Sequence, residues 1–430
     1  MGGSAFGTKT FTPRMPHDVY RHMRDSVHAV LRELFVFVAT PIEGPAKKDH
    51  GDIDVLVCLE RRVAFPPTAE NEITPRTNNE LMVTIKDKLR AEDAIMNGPT
   101  ANLLLPWPAE LYEELEENAE GQDAPRRQQH VQVDVRICKD FEQMSWGLFK
   151  HAHGDMWNLI GSSIRPFGLT VDEEALYLRI PEIEKFDRKR AKVLLTTDPV
   201  KVIHFLGMQV EGFWEEPFSS VEALFEYVTT CRLFWVKEAG EEEAAENGAG
   251  VVGGEEGRRK LKSNDRRRMN GRPVYRQWIN EYIPRLRAEG RFLSKGQDQT
   301  TLREALRDEA IAWFFVQAEY HERLHQWRVQ RSVEEVKGLV KILVPTEMDN
   351  QRRAATMSAL KKIILEDDCS FGFALPATAR STDGIYDAEA VRQFIAQNWE
   401  RLGNIAQSPQ KQRFAEHMRL KDLKRKADVQ

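Results

Sequence analysis

The sequence has few cysteines, no long apolar run and no excess of positive charge, and each shortage narrows the range of function classes. The four cysteines among 430 residues stand far apart, without the paired spacing of a zinc site or a disulfide framework, so we expect a reduced, intracellular compartment, either cytoplasm or nucleus. No apolar run approaches the roughly 20 residues that span a bilayer, so we expect no membrane segment. The formal net charge of −5 gives no general attraction to nucleic acid. Any binding of RNA or DNA must therefore use local basic segments.

Two acidic residues open an apolar, β-branched run near the start of the chain. Asp52 and Asp54 are two residues apart, so the alternation of a strand places both on one face and the apolar residues between and after them on the other. Two like charges about 4 Å apart repel by roughly 4 kcal/mol at an effective dielectric near 20, and a divalent cation removes that cost. Gly51, directly before the pair, leaves room for a phosphate or another backbone to approach.

A third acid has the same kind of placement. The segment His130–Cys138 predicts a strand with apolar residues on one face and Asp134 among the polar residues of the other. If this strand lies beside the first, Asp134 joins Asp52 and Asp54 over a shared cleft. Three carboxylates with room for phosphates suit two hard cations, Mg²⁺ or alternatively Mn²⁺, in phosphoryl or nucleotidyl transfer. The plain alternative is that all three are turn, strand-end and surface acids.

The order of these elements resembles a known family. A helix over residues 15–35, a strand over 35–39, the Gly-Asp-Ile-Asp run and the later strand with its single acid are similar to the catalytic core of the DNA polymerase beta type nucleotidyltransferase superfamily. Residues 157–161 and 168–170 are also similar to uncharacterised viral and fungal members. The resemblance covers residues 15–235.

The resemblance implies a fold, a reaction and a set of site residues. The fold would be α+β, with a nucleotidyltransferase-type mixed sheet and flanking helices, followed by a mostly helical domain. The activity would be Mg²⁺-dependent transfer of a nucleoside monophosphate from a nucleoside triphosphate such as ATP to a hydroxyl acceptor, with nucleic acid favoured. Asp52 and Asp54 would hold both Mg²⁺ ions, and Asp134 would hold the ion that activates the attacking hydroxyl.

One departure from the family pattern concerns the triphosphate site. The family places a Gly-Ser pair at a helix start ahead of the first acid, and here Thr40 and Gly44 stand in that region. Thr40 could supply the hydroxyl and Gly44 the close approach, while Lys48 could add a phosphate contact. The alternative for Lys48 is an exposed loop lysine. The missing pair also motivates a second function class, a catalytically degenerate binding protein that kept the fold.

The segment after the third acid is where we expect nucleotide contacts. On a predicted helix, Trp157 could stack on a base while the amide of Asn158 reads the edge of the base. Arg165 adds a positive group that could meet the triphosphate. The alternative is that Trp157 is a core residue and Asn158 a surface or cap residue.

The length of 430 residues predicts more than one domain. Two basic segments, 258–268 and 411–426, are candidate contacts for RNA or DNA phosphates, the alternative being solvated charge. Composition and pattern divide the chain into a flexible arm (1–14), a nucleotidyltransferase core with inserted loops near 61–79 and 110–129 (15–145), a helical region completing the core (146–238), a disordered linker (239–270) and a helical C-terminal domain with a basic tail (271–430).

A competing motif lies in the second half of the chain. His321, Glu322 and His325 fit the His-Glu-x-x-His spacing that places two imidazoles on one helix face for zinc, with the glutamate as general base. Arg323 and Arg328 would put cations close to that metal, which argues against the motif. A zinc metalloprotease is therefore the third function class, after the nucleotidyltransferase and the binding protein.

Overall fold

The computed structural model describes most of the chain: residues 3–7, 10–66, 74–109, 128–237, 251, 263–293 and 299–406. These residues form a mixed α/β protein that divides into two compact units, Met1–Val316 and Gln317–Gln430. Within the described part, no helix is long and apolar enough to cross a membrane. Several predicted segments lie wholly or partly outside the described residues, namely the inserted loops at 67–73 and 110–127, most of the linker, and the basic tail 411–426.

Five strands of the first unit form a mixed open sheet. Its spatial order is β1-β2-β5-β4-β3, in which β2 and β5 are parallel and the other neighbours are antiparallel. The two strands that carry the acids are therefore adjacent, with β5 in the middle of the sheet. The strands are β1 (Phe35–Ala39), β2 (Ile53–Glu60), β3 (Asp93–Asn97), β4 (Thr100–Pro106) and β5 (His130–Cys138).

Helices of the first unit flank this sheet and continue beyond it. A π-helical turn, Trp278–Tyr282, lies between two of them. In chain order they are α1 (His17–Leu34), α2 (Arg61–Ala64), α3 (Asn78–Lys88), α4 (Phe141–His151), α5 (Met156–Ile164), α6 (Pro181–Glu184), α7 (Pro199–Phe205), α8 (Val221–Thr229), α9 (Ser263–Gly271), α10 (Pro273–Gln277), α11 (Ile283–Ala288) and α12 (Gln299–Trp313).

One face of the sheet is the main core. The apolar residues of α1 recur at steps of three and four, so Met23, Val27 and Leu31 share one side of the helix and pack in the same cluster as Val55 of β2 and Val133 of β5. Helix α3 adds its own apolar side to this cluster, and a capping box at its N-terminus fixes where it begins. This face anchors both acid-bearing strands.

The opposite face of β2 is divided between an apolar half and an acidic half. Leu56 and Cys58, which share this face with Asp52 and Asp54 by alternation, are buried in a small cluster with residues of α4. Helix α4 lies so close to β2 that a Cβ added at Gly147 would meet Leu56 Cδ2 at 2.5 Å. The helix thus covers the C-terminal half of the strand.

The region 146–238, for which the sequence predicted only helices, contains strands as well. It contains an antiparallel three-stranded sheet of β6 (Leu169–Val171), β7 (Leu176–Arg179) and β8 (Lys192–Thr196), in that spatial order. These strands are three to five residues long, and runs that short carry too little alternation to be separated from helix by pattern.

The boundary between the units also differs from the expected one. Residues 271–316, which composition assigned to the C-terminal domain, belong to the first unit, and the predicted linker ends in helix α9. The reason is aromatic packing: the Phe225 ring lies 5.1 Å from Trp278 and 4.9 Å from Tyr282. These contacts join segments that are about 50 residues apart in sequence, so local composition does not reveal them.

The described part of the expected flexible arm, residues 3–7 and 10–14, is seated on the sheet. Phe11 forms a bridge to Gln129 just before β5, and the Phe11 carbonyl accepts a hydrogen bond from His130 N at 3.0 Å. Next to the arm, Met15 exchanges two backbone hydrogen bonds with His50, at 2.7 and 2.9 Å. The arm therefore has partners at the starts of both acid-bearing strands.

The second unit is helical in its described part. Its elements are α13 (Gln317–Leu343), α14 (Asn350–Leu365) and a helix over residues 388–406. Val336 and Val340 of α13, Leu360 of α14, and Val391 and Ile395 of the last helix form the core. This unit has its own apolar cluster, which is the usual requirement for an independent domain.

Candidate metal centre

The fold brings the three predicted acids to one end of the same sheet face. Asp54 of β2 stands directly opposite Asp134 of β5 in the parallel ladder. Asp52 directly precedes β2, and its charge raises the pKa of both Asp54 and Asp134, so the three acids lie close together. Neighbouring strands are about 4.8 Å apart, so the backbones of Asp54 and Asp134 are as close as two strands allow. Eighty residues of sequence separate the two positions, and the ladder joins them.

The electrostatics of Asp54 show that the acids act on one another. Burial, the charge of Asp52 and the charge of Asp134, in that order, raise the pKa of the Asp54 carboxyl from 3.8 to about 6. The Asp54 side chain is exposed to solvent, so the three acids line an open end of the sheet, here called the acidic cleft. A pKa raised by like charges marks a place where a cation would be favoured.

Two amide side chains hold the Asp134 carboxylate. Asn102 of β4 stands opposite Asp134 in the ladder and donates Nδ2–H to Asp134 Oδ1 at 2.6 Å, and Gln132 donates Nε2–H to the same oxygen at 2.8 Å. Burial raises the pKa of Asp134, and the two amide hydrogen bonds oppose that shift. The amides thus favour the ionised form of this carboxyl group.

Positive and titratable groups lie beside the acids. The charge of His151, at the end of α4, lowers the pKa of Asp54 and so opposes the effect of the neighbouring acids. His151 Nε2 is 3.4 Å from Glu173 Oε2, and Lys150 Nζ is 3.7 Å from Glu173 Oε1. The hydrogen bond from His151, with help from Lys150 and Arg136, lowers the pKa of Glu173 to about 2. Lys150, Arg136 and His151 therefore gather around Glu173, and His151 links this group to Asp54.

The donor set fits a hard divalent cation, although the carboxylates now face protein donors. Among the described residues, no group of three or more His, Cys, Asp and Glu side chains converges closely enough to hold a metal ion as it stands. Asp52 Oδ2 accepts from Gly3 N at 3.2 Å, and Asp134 Oδ1 accepts the two amides. Mg²⁺ is commonly bound by one or two carboxylates together with substrate phosphates rather than by a complete protein cage. Carboxylates Asp52, Asp54 and Asp134 match that requirement in chemistry.

The residues expected to bind the triphosphate are used in internal contacts. Thr40 Oγ1 lies 2.8 Å from His28 Nε2 and forms a hydrogen bond with it. Gly44 packs on the backbone of Gly154, since a Cβ added at Gly44 would lie 3.5 Å from Gly154 Cα. The close approach that Gly51 permits is taken by Gly3. Thr40 and Gly44 therefore make internal contacts, and Gly51 is approached by another backbone, one of the two partners that the sequence allowed for it.

Lys48 and Trp157 occupy opposite environments. Lys48 is exposed on the loop before β2, as the alternative interpretation of it expected. Trp157 is only 7% exposed, donates Nε1–H to Phe149 O at 3.0 Å and packs edge-on against the Phe149 ring. The expectation that Trp157 stacks on a base is therefore corrected: the indole is a core residue of α5, because its apolar surface is covered by neighbouring rings.

Asn158 and Arg165 also make local contacts. Asn158 Nδ2 donates to Asp155 Oδ1 at 3.2 Å, within the first turn of α5. Arg165 donates Nε–H to Gly161 O at 2.6 Å, four residues earlier. Both side chains support the end of their own helix in these contacts. The fold brings together the three acids, and it does not gather these two residues with them.

In the second unit, the His-Glu-x-x-His residues lie on α13. His321 and Glu322 are exposed, and Glu322 accepts a hydrogen bond from Gln326 Nε2 at 2.5 Å. His325 Nδ1 is 3.8 Å from Asp383 Oδ2, a weak surface contact. In the described part of this unit too, no three His, Cys, Asp or Glu side chains converge closely enough to hold a metal ion.

Sequence reasoning missed Asn102 and did not use Gln132. Asn102 had a signal, since it stands between the buried residues Ala101 and Leu103 on a short apolar strand. A polar side chain in the middle of such a strand is expected to have a hydrogen-bond partner. The partner, Asp134, is on a different strand and could not be identified without the register.

Comparisons with known proteins leave the assignment to the site itself. No protein-family model and no curated protein matches the chain. The fold and the chemistry of the acidic cleft are then the basis for a function.

Proposed function

We propose that this protein is a Mg²⁺-dependent nucleotidyltransferase with a nucleotidyltransferase-type sheet. The observation that carries the proposal is the register of β2 and β5, which sets Asp54 opposite Asp134, with Asp52 directly before β2 and close enough for its charge to raise the pKa of both. Three carboxylates at one open sheet end, beside cationic side chains, suit a divalent cation and a polyphosphate together. An apolar core or a simple salt-bridge surface has no need of three neighbouring acids, and the pKa values of two of them, Asp54 and Asp134, are raised by burial and by the charge of Asp52.

The reaction assigned to this cleft is an in-line substitution at phosphorus. The acceptor hydroxyl oxygen forms a bond to the α-phosphorus, the bond from that phosphorus to the bridging oxygen breaks, pyrophosphate leaves, and the hydroxyl proton passes to water. Asp52 and Asp54 would hold both cations and Asp134 one of them. Bound divalent cations neutralise phosphate charge and lower the pKa of a coordinated hydroxyl.

The cationic side chains have a separate task in this proposal. Arg136, Lys150 and His151 share Glu173 as a partner or neighbour. A triphosphate carries several negative charges and would compete with this single carboxylate for the same groups. We assign them to the β- and γ-phosphates, in place of Thr40 and Gly44.

The direct test is transfer of label from α-labelled nucleoside triphosphates. All four triphosphates are incubated with RNA, single-stranded DNA and protein acceptors in Mg²⁺ and in Mn²⁺, with the wild type, Asp134→Asn and Asp93→Asn. Asp93 is an exposed acid on β3 of the same sheet and serves as the matched control. We expect transfer by the wild type and Asp93→Asn and none by Asp134→Asn. Equal transfer by all three proteins would contradict the proposal.

A second candidate is a catalytically degenerate protein that binds nucleotides without reaction. The observation in its favour is that Thr40 and Gly44, the substitutes for the family Gly-Ser pair, are engaged with His28 and Gly154. In this case calorimetry would show metal-dependent nucleotide binding while no acceptor becomes labelled. Binding of equal strength in Mg²⁺ and in excess chelator would contradict both candidates.

A further inference from the structure

The Asp134 carboxylate is held asymmetrically. Asn102 Nδ2 and Gln132 Nε2 donate to the same oxygen, Oδ1, at 2.6 and 2.8 Å, and Oδ2 receives neither bond. Charge-assisted bonds of this length fix the orientation of a carboxylate more firmly than neutral ones do. One oxygen of the third acid is therefore committed to protein donors.

Gln132 is itself held at both ends. Its side chain is 3% exposed, and its Oε1 accepts a hydrogen bond from Ala5 N at 2.9 Å while Nε2 donates to Asp134. Asn102 reaches Asp134 from the neighbouring strand β4, whereas Gln132 lies two residues before Asp134 along β5 itself. A buried amide bonded at both ends has little rotational freedom.

We infer that Asn102 and Gln132 are positioning residues for the proposed cation site. They hold Asp134 Oδ1 and leave Oδ2 as the oxygen for a divalent cation, so that the carboxylate does not rotate when the ligand arrives. The inference rests on the proposed metal role of Asp134. It goes beyond that role because it assigns the two oxygens different functions and names the side chains that separate them.

The test is Mn²⁺ affinity measured by calorimetry, together with the electron paramagnetic resonance spectrum of bound Mn²⁺. Gln132→Met removes the donor at similar length, and Asn102→Leu removes the other donor if the first variant does not fold. We expect Mn²⁺ to bind about tenfold more weakly in either variant, with an altered spectrum, since loss of an outer partner of a metal ligand typically costs 10–100-fold. Gln326→Met, which removes an amide donor to Glu322 in the other unit, is the control and should bind as the wild type does.

The outcomes separate this inference from the proposed function. Mn²⁺ affinity within twofold of the wild type in both amide variants, with weakened binding in Asp134→Asn, would overturn the positioning role alone. Equal Mn²⁺ binding, or none, by the wild type and Asp134→Asn would overturn the metal site and the positioning role together.

Discussion

The acidic cleft of the sheet and the His-Glu-x-x-His segment of α13 both carry side chains at a spacing that metal sites use, and the fold treats them differently. In the cleft, β2 and β5 bring Asp54 and Asp134 together from distant parts of the sequence. Partner side chains then hold the acids in place, as Asn102 does for Asp134. Asp52 likewise accepts a hydrogen bond from Gly3 N.

The helix motif has the spacing without the surroundings. His321 and Glu322 are exposed. Among the described residues, the ring nitrogens of His325 contact only Asp383, with Nδ1 3.8 Å from Asp383 Oδ2. A helix places residues four apart on one face whether or not a metal follows. Residue spacing within one helix or strand is therefore weak evidence for a metal site. The register between two strands is stronger evidence.

The largest expected effect separates the two motifs by activity. Asp134→Asn should lower label transfer by about a thousandfold or more, roughly 4 kcal/mol in the barrier, because one ligand of the reacting cation is lost. Glu322→Gln should leave transfer unchanged, since the proposed reaction does not use α13. Initial rates with α-labelled triphosphate measure both. A loss of similar size in Glu322→Gln would show that the motif on α13, and not only the acidic cleft, is needed for transfer.

Metal content gives the next largest difference. Asp54→Asn should weaken Mn²⁺ binding by about 10–100-fold, as expected when a ligand of the cation is replaced by a neutral amide. His321→Ala should leave Mn²⁺ binding unchanged. Calorimetry gives the affinities, and elemental analysis of the purified protein should find no stoichiometric zinc. One tightly held zinc per chain that is lost in His321→Ala would revive the protease interpretation.

The pH dependence of stability tests the cleft without any metal. The pKa of Asp54 is raised from 3.8 to about 6, so the folded protein binds more protons than the unfolded chain between these values, and this group makes stability fall as pH rises through that window. Asp54→Asn should therefore be more stable than the wild type above pH 6, by about 1 kcal/mol or less because the side chain reaches solvent.

His50 requires that this measurement be made as a difference. Burial lowers the pKa of His50 from 6.5 to about 4, so its contribution makes stability rise with pH over nearly the same window. Subtracting wild-type from Asp54→Asn unfolding free energies in chelator, at several pH values from 4 to 7, cancels the histidine term. A difference that does not grow with pH would show that Asp54 is not strained by its neighbours.

The smallest effect is expected in the helix motif. His325→Ala should change the free energy of unfolding by about 0.5 kcal/mol, because a half-exposed side chain with one surface ion pair contributes little. Urea unfolding of the full chain measures this change. A destabilisation above about 3 kcal/mol would mean that His325 has a structural task, such as metal binding, that its surroundings do not reveal.

Several elements could be predicted because their patterns are local. The strand at 130–138 has the bounds that the alternation predicted, the strand at 35–39 has the bounds that the resemblance implied, and helix α1 follows the three-and-four spacing of its apolar residues. The short strands of the second sheet were missed because three to five residues carry too little pattern. The boundary between the units was misplaced because aromatic contacts of Trp278 and Tyr282 outweigh composition.

The predicted contacts of the site differ in the same way. Trp157, Thr40 and Gly44 were assigned to the nucleotide by residue type, and each instead contacts the protein itself. Residue type states what a side chain can do, and it does not state which partner is nearest. For a tryptophan, burial is the commoner outcome because its apolar surface is large.

Alternation along a strand is a local property, so the sequence alone was sufficient to place Asp54 and Asp134 each on a strand, with Asp52 just ahead of the first of these strands. Only the tertiary structure decided that these strands are adjacent and parallel with Asp54 opposite Asp134, that Asn102 and Gln132 hold one oxygen of the third acid, and that Gly3 reaches Asp52. Those pairings depend on packing between segments far apart in the chain. No spacing within a single segment encodes them.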